Sequence, residues 1–176
     1  MLETLITSKT RLKMLLKFFT NSNATAYLRG LSDEFGDSTN SIRVELNKLS
    51  EAGYLTYSEK GRTIEYRANT KHPLFPEIKN LVHKYLGIDQ IIINIIQKLG
   101  DLRSAYIIGD YAIGKDSGTI ELLLVGEIDI DYLKKLIDKV RKLIQRNIKV
   151  EVISKNQLAE RKLGSGQALL LWEADL

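Results

Sequence analysis

Thr39, Asn40, Ser41, Arg43 and Asn47 lie in one short segment of this chain and are residue types that can hydrogen-bond the edges of nucleic-acid bases. A guanidinium matches O6 and N7 of guanine, and a carboxamide matches N6 and N7 of adenine, so Arg43 is the strongest base-reading candidate. Arg29, Lys48, Lys60, Arg62 and Arg67 supply cations that would hold phosphates and set position without reading sequence. The competing reading of Arg43 is a solvent-facing side chain in an ion pair at helical spacing. The partner implied by the first reading is double-stranded DNA.

These side chains face outward only if Ile42, Leu46 and Leu49 turn inward on a common helix. Asp37 and Ser38 offer capping oxygens at its start, and Gly53 ends it. Before it, Ser8 to Thr20 carries Leu12, Leu15, Leu16 and Phe19 at the spacing of a buried helical face. Asn21-Ser22-Asn23 reads as a turn. Thr25 reads as the cap of a middle helix that carries Tyr27, Leu28, Leu31 and Phe35 and stops at Gly36. After Gly53 the period shortens to two. Leu55 and Tyr57 share a face of one strand, Ile64 and Tyr66 a face of the next, and Lys60-Gly61-Arg62 forms the hairpin tip.

Helix, turn, helix and basic hairpin in this order resemble the winged helix-turn-helix modules of bacterial ArsR-like and MarR-like regulators, over about residues 8–70. The resemblance implies a homodimer on a two-fold related operator. The metal-sensing cysteines of part of the ArsR family are missing, because the chain has no cysteine. That absence also excludes a disulfide framework and a cysteine nucleophile, and it suits a reducing compartment. His72 and His83 are the only histidines and lack a clustered third ligand.

A hydrophobic share of 44% and a charged share of 27% are those of a folded globular protein, not a disordered tail. No segment approaches the roughly 18 apolar residues of a membrane span. The N-terminal residues lack the pattern of a signal peptide, so the expected address is the cytoplasm. The formal net charge is +4, and the surplus sits mainly in residues 1–72, where 11 Lys and Arg face 8 Asp and Glu; residues 73–176 hold 15 against 14. The excess falls on the part assigned to DNA.

Thr70 to Pro76 holds both prolines, Pro73 and Pro76, and marks a domain boundary. Beyond it Glu77 to Leu86 reads as a helix closed by Gly87. Ile88, Ile91, Ile92, Ile95, Ile96 and Leu99 follow as a stripe at helical spacing, read as core with a dimer seam as the minority alternative. Ile93 lies off the stripe. Then come strands at Ala105 to Ile108 and Ile120 to Val125, a helix from Asp131 to Gln145, a strand from Ile148 to Ile153, a helix from Asn156 to Lys162 and a strand from Ala168 to Trp172. This is the alternation of a small α/β domain.

Gly109-Asp110-Tyr111-Ala112-Ile113-Gly114 and Ser117 to Val125 resemble the core of the minimal nucleotidyltransferase family, with the likeness extending over about residues 88–173. In that family a Gly-Ser turn holds nucleotide phosphates, and two Asp separated by one residue bind a divalent metal. Residues i and i+2 of a strand project to one face, so paired carboxylates there can share Mg²⁺. The resemblance places Gly109 and Gly114 in the turn, Asp110 at the Ser position, Thr119 at the first Asp position, Glu121 at the second and Glu151 at a third-strand acid. A threonine hydroxyl cannot supply the missing charge, and Asp110 sets an anion where phosphates would dock. The site therefore reads as degenerate, with no metal and no cofactor. A displaced metal site using Asp110 and Asp116 is the open alternative.

The chain thus reads as an α+β protein of two domains: a winged helix-turn-helix at 1–72, a linker and connecting helix at 73–87, and a nucleotidyltransferase-like α/β domain at 88–176. The expected function is a DNA-binding transcriptional regulator, not an enzyme. Its second domain would serve dimerisation, sensing of a small-molecule or nucleotide effector, or partner contact. The alternatives are an active Mg²⁺-dependent nucleotidyltransferase targeted by its winged helix, and a nucleotide sensor without chemistry.

Overall fold

The computed structural model describes residues 2–144, 146–161 and 167–174. The chain is mixed α+β with two sheets, and its contacts divide it into two compact units, residues 1–82 and 83–176.

The first unit runs α1 (Leu2–Leu5), α2 (Lys9–Thr20), β1 (Thr25–Tyr27), α3 (Leu28–Phe35), α4 (Thr39–Glu51), β2 (Leu55–Lys60) and β3 (Thr63–Ala68). Ser8 caps α2 by accepting from the Arg11 amide, and Ser38 caps α4 by accepting from the Ser41 amide. Met14, Phe18, Leu31, Ile42 and Leu46 are fully buried, so the inner stripe expected of α4 is the centre of this core. Met14 and Phe18 extend the buried face of α2 beyond the expected positions, while Leu15 is only half-buried.

The middle helix begins later than expected. Thr25 does not cap it; Thr25–Tyr27 is extended and pairs antiparallel with Arg67, Tyr66 and Glu65 of β3. The three residues suit a strand, and the free β3 edge gives their backbone groups partners that a first helical turn would lack. The sheet order is β1-β3-β2. The hairpin closes at Gly61-Arg62, with Lys60 opposite Thr63 and Gly61 at φ +62°. Leu55 is buried, yet Tyr57 on the same strand face is 62% exposed, because the outer half of the hairpin extends past the core.

Three ion pairs tie α2 to the α3–α4 segment. Lys17 meets Glu34 at 2.8 Å, Lys13 meets Asp37 at 3.1 Å, and Arg11 meets Glu45 at 2.8 Å. Lys13 also donates to the Phe35 carbonyl, and Ser8 donates to Glu45. Burial opposes ionisation at Glu45, but the bonds from Arg11 and Ser8 and the nearby charges outweigh it and hold the carboxyl below its ordinary value. Asp37 is lowered in the same way, burial being outweighed by Thr10 and Lys13.

The division between units falls between Val82 and His83, inside helix α5 (Phe75–Leu86), and not at the prolines. Pro76 sits in the first turn of α5, where its missing N–H costs nothing, and Phe75 packs on Phe19 at 5.5 Å. The rest of the second unit runs α6 (Ile88–Asn94), a 3₁₀ turn at Ile96–Lys98, β4 (Leu102–Ile108), a 3₁₀ turn at Gly109–Ile113, β5 (Thr119–Gly126), α7 (Ile130–Ile144), β6 (Asn147–Ile153), α8 (Lys155–Glu160) and β7 (Ala168–Glu173). The expected helix ends Gln145 and Lys162 lie outside the described residues. The isoleucine stripe is not one helix: α6 stops at Asn94, consistent with the low helix propensity of its β-branched run, although Ile88, Ile91, Ile95, Ile96 and Leu99 are all buried. Ile92 is half-buried and Ile93 is exposed.

The second sheet has the order β6-β5-β4-β7; β5 and β6 run parallel across α7, and the other pairs are antiparallel. Central strand β5 is buried on both faces. Ile120, Leu122 and Leu124 are fully buried on one, while Leu123 and Val125 cluster with Ile153, Tyr106, Ile108 and Leu158 on the other. This second face opens into a cleft at either end of β5.

The depressed carboxyls of Asp37 and Glu45 make a pH prediction. Both titrate lower folded than unfolded, so their stabilisation is complete above the unfolded carboxylate values and is lost as pH falls through the folded ones. Denaturant melts at pH 7 and pH 3 should show this loss. Glu45→Gln should cost about 1–2 kcal/mol at pH 7 and flatten the acid slope.

Candidate nucleic-acid interface and second-unit cleft

Between α4, the β1–α3 junction and the hairpin lies a surface cleft of about 690 Å³ lined by Arg29, Arg43, Asn47 and Arg62, with Tyr27 and Tyr66. Arg43 and Asn47 are one turn apart on the exposed side of α4. Arg29 enters from the first turn of α3, and Arg62 from the hairpin turn that Gly61 permits. Leu28, Thr63 and Ile64 complete the lining.

The charges here differ from those on α2. Arg11, Lys13 and Lys17 are each paired with a carboxylate, whereas Arg29, Arg43 and Arg62 make no ion pair among the described residues. Arg43 has no acid at helical spacing, since its neighbours three and four residues away are Asn40, Leu46, Thr39 and Asn47. Glu45, the nearest acid on the helix, is buried and bonded to Arg11 and Ser8. Glu65, on the hairpin, accepts the Tyr27 hydroxyl at 2.8 Å. Burial and the neighbouring Tyr57 raise the Tyr66 phenol, and Arg43 pulls it back, as a cation close to that ring must.

The other expected contacts are not drawn into the cleft. Thr39 and Asn40 are exposed at the start of α4, while the Ser41 hydroxyl lies 2.9 Å from that of Ser38 and belongs to the cap. Lys48 is exposed but, five residues on, projects about 140° around the helix from Arg43. Its charge acts on Glu45. Lys60 is exposed beside the hairpin turn, and Arg67 alternates to the strand face opposite Tyr66. Tyr27 and Tyr66 were not anticipated as lining residues; the β-compatible run Thr25-Ala26-Tyr27 was the available signal for the first.

In the second unit a cleft of about 480 Å³ is lined by Gly109, Asp110, Glu121 and Arg161. Gly109 has φ +68°, and a β-carbon there would come within 2.7 Å of Glu121 Oε2, so the carboxylate occupies the space that glycine leaves. Gly114, at φ +81°, ends the turn. Thr119 is half-buried on the same strand face as Glu121. Lys149, not Glu151, stands opposite Glu121 on β6; Glu151 lies across from Leu123 and is bound by Arg161 at 2.6 Å. Asp110 is 3.9 Å from Lys115. Among the described residues no three His, Asp or Glu side chains converge as a metal-binding group. Among the described lining residues, Asp110 and Glu121 are the carboxylates of this cleft.

Asp116 is committed elsewhere. Arg146 donates to it at 2.8 Å, the Tyr111 hydroxyl donates to its other oxygen, and Arg146 also donates to the Tyr85 carbonyl at 3.0 Å. Burial works against charge on Asp116, but Arg146 and Tyr111 hold its carboxyl low; burial and Asp116 raise the Tyr111 phenol. The network uses Asp116 to fasten the turn after Tyr111, which removes it from any shared cation site with Asp110.

No protein-family description matches the chain, and no curated protein does. Solved structures give partial likenesses. Reduced HlyU from Vibrio cholerae N16961 is 18% identical at a TM-score of 0.38, over 47% of this chain and 82% of that one. A candidate nucleotidyltransferase from Sulfolobus solfataricus is 19% identical at 0.38, over 55% and 86%. A chain of the tri-AMPylated Shewanella oneidensis HEPN toxin in complex with MNT antitoxin is 15% identical at 0.36, over 51% and 71%. Each covers about half of this protein.

Asp116→Asn should leave a largely buried guanidinium without its counter-charge, the Arg146 side chain being only 13% exposed. The expected loss is about 2–4 kcal/mol of stability, read by denaturant unfolding.

Proposed function

We propose that residues 1–82 form a winged helix that binds double-stranded DNA, and that the protein is a DNA-binding transcriptional regulator acting as a homodimer. The observation that carries this reading is the convergence of Arg29, Arg43 and Arg62, without ion-pair partners among the described residues, on a cleft bordered by α4 and the hairpin. Asn47 adds a carboxamide suited to an adenine edge.

In this reading the second unit is a nucleotidyltransferase-like module that does not catalyse. Glu121 over Gly109, Glu151 held by Arg161 and Asp110 beside the turn leave a mixed, carboxylate-bearing cleft in place of a phosphate cradle. Incubation with Mg²⁺ and labelled nucleoside triphosphates should give no transfer to protein or small molecule. Turnover that Glu121→Gln abolishes would establish the enzymatic alternative instead.

DNA binding is tested by anisotropy on fluorescent duplexes over a range of salt. Affinity should fall linearly in log–log form. Arg43→Ala or Arg62→Ala should weaken it and reduce the slope by about 1 for each phosphate that the arginine neutralises. Affinity indifferent to salt and to both substitutions overturns the proposal.

A further inference from the structure

The cleft bordered by α4 and the hairpin has a volume of about 690 Å³, within the range of about 300–1,000 Å³ that holds small molecules. Its three guanidiniums arrive from three elements: Arg29 from the first turn of α3, Arg43 from α4 and Arg62 from the hairpin turn. None of them, and neither Asn47 nor Tyr66, makes a side-chain hydrogen bond or ion pair among the described residues. Leu28 and Ile64 add apolar lining. Tyr27 is 39% exposed, and its hydroxyl is fastened to Glu65 at 2.8 Å.

We infer that this cleft is a binding site for a free nucleoside polyphosphate. Guanidiniums form charge-assisted, bidentate bonds to phosphate oxygens, and three converging on one small space favour a ligand that concentrates its negative charge in a short polyphosphate. The aromatic and aliphatic lining beside them contributes nothing to a bare phosphate chain but suits the flat face of a base. Tyr27 supplies an exposed ring, and its bond to Glu65 restricts that ring before a base arrives. Occupancy would neutralise the same three cations that the proposed DNA contact uses, so the nucleotide would regulate that contact by competition. The competition rests on the DNA reading; the nucleotide site does not.

The test is an amide NMR titration of the full chain, at constant ionic strength and without divalent ions, with ATP, inorganic triphosphate and adenosine. ATP should give saturable shifts concentrated at residues 27–29, 43–47 and 62–66, and should bind several-fold more tightly than either fragment. Arg29→Gln combined with Arg62→Gln should weaken ATP binding about tenfold or more. Both side chains are exposed, so the fold should persist, and unchanged shifts at distant amides would verify that. Tyr27→Leu, checked in the same way, should weaken ATP and leave triphosphate unchanged. Lys139→Gln, which removes an exposed cation from α7, should change neither. Shifts confined to the second unit, non-saturating shifts, equal affinity for ATP and triphosphate, or affinity untouched by the double substitution would each overturn the inference. A duplex that binds with the expected salt slope but is not displaced by saturating ATP overturns it and leaves the DNA reading intact. ATP binding at these residues without any duplex binding removes the DNA reading and leaves the nucleotide site.

Discussion

The row of ion pairs from α2 onto Glu34, Asp37 and Glu45 is the constraint from which the first unit's surface follows. A helix with four basic residues could have presented them all to solvent, and an observer counting charges would place a cationic face on α2. Three of the four are spent on carboxylates, and two of those carboxylates, Asp37 and Glu45, bracket the start and middle of α4. The pairing fits the rotation that the apolar stripe of α4 sets: Glu45 joins Ile42, Leu46 and Leu49 on the inner side, and Arg43 and Asn47 face outward. Polarity is thus sorted within a single helix. Its inner acid neutralises α2, and its outer base remains available.

The second unit turns on a different arrangement, a strand buried on both faces with a cleft near either end. β5 carries apolar side chains in its middle because Ile120, Leu122 and Leu124 are fully buried on one side, and Tyr106, Ile108, Leu158 and Ile153 pack with Leu123 and Val125 on the other. Where that partial cover stops, the same face opens at Glu121 near the start of the strand and at Ser104 and Val125 near its end. Arg146 fastens the turn at the first of these ends through Asp116, Tyr111 and the Tyr85 carbonyl. The carboxylates at this end therefore have unequal fates: Asp116 and Glu151 are held by arginines, while Asp110 and Glu121 face the cleft.

Much of this architecture was readable because it rests on local signals. The α4 stripe, the Ser38 cap, the Gly36 and Gly53 stops and the Gly61 turn each depend on residues within a few positions of one another. The strand Thr25–Tyr27 was not readable in the same way: a three-residue strand has too little periodicity, and what decides its state is β3, some forty residues later. The same distinction applies to the sites. That Arg43 faces outward follows from the helix period alone. That Tyr27 and Arg62 meet it, that Glu151 slips two residues past Glu121, and that Asp116 belongs to Arg146 are facts of strand register and tertiary packing, which no local spacing encodes.

Three guanidiniums around one cleft also have an energetic meaning. Like charges near a protein surface repel in proportion to their closeness, and salt only partly screens them. The chain has the means to neutralise them, since it does so on α2 with carboxylates of ordinary sequence cost. Around the α4 cleft the available acid, Glu65, is instead engaged by Tyr27, and Glu45 is turned inward. The folded first unit therefore gathers three guanidiniums without ion-pair partners among the described residues at one defined place. On the DNA reading proposed above, a linear polyanion laid along that place would meet these cations and release its condensed counterions.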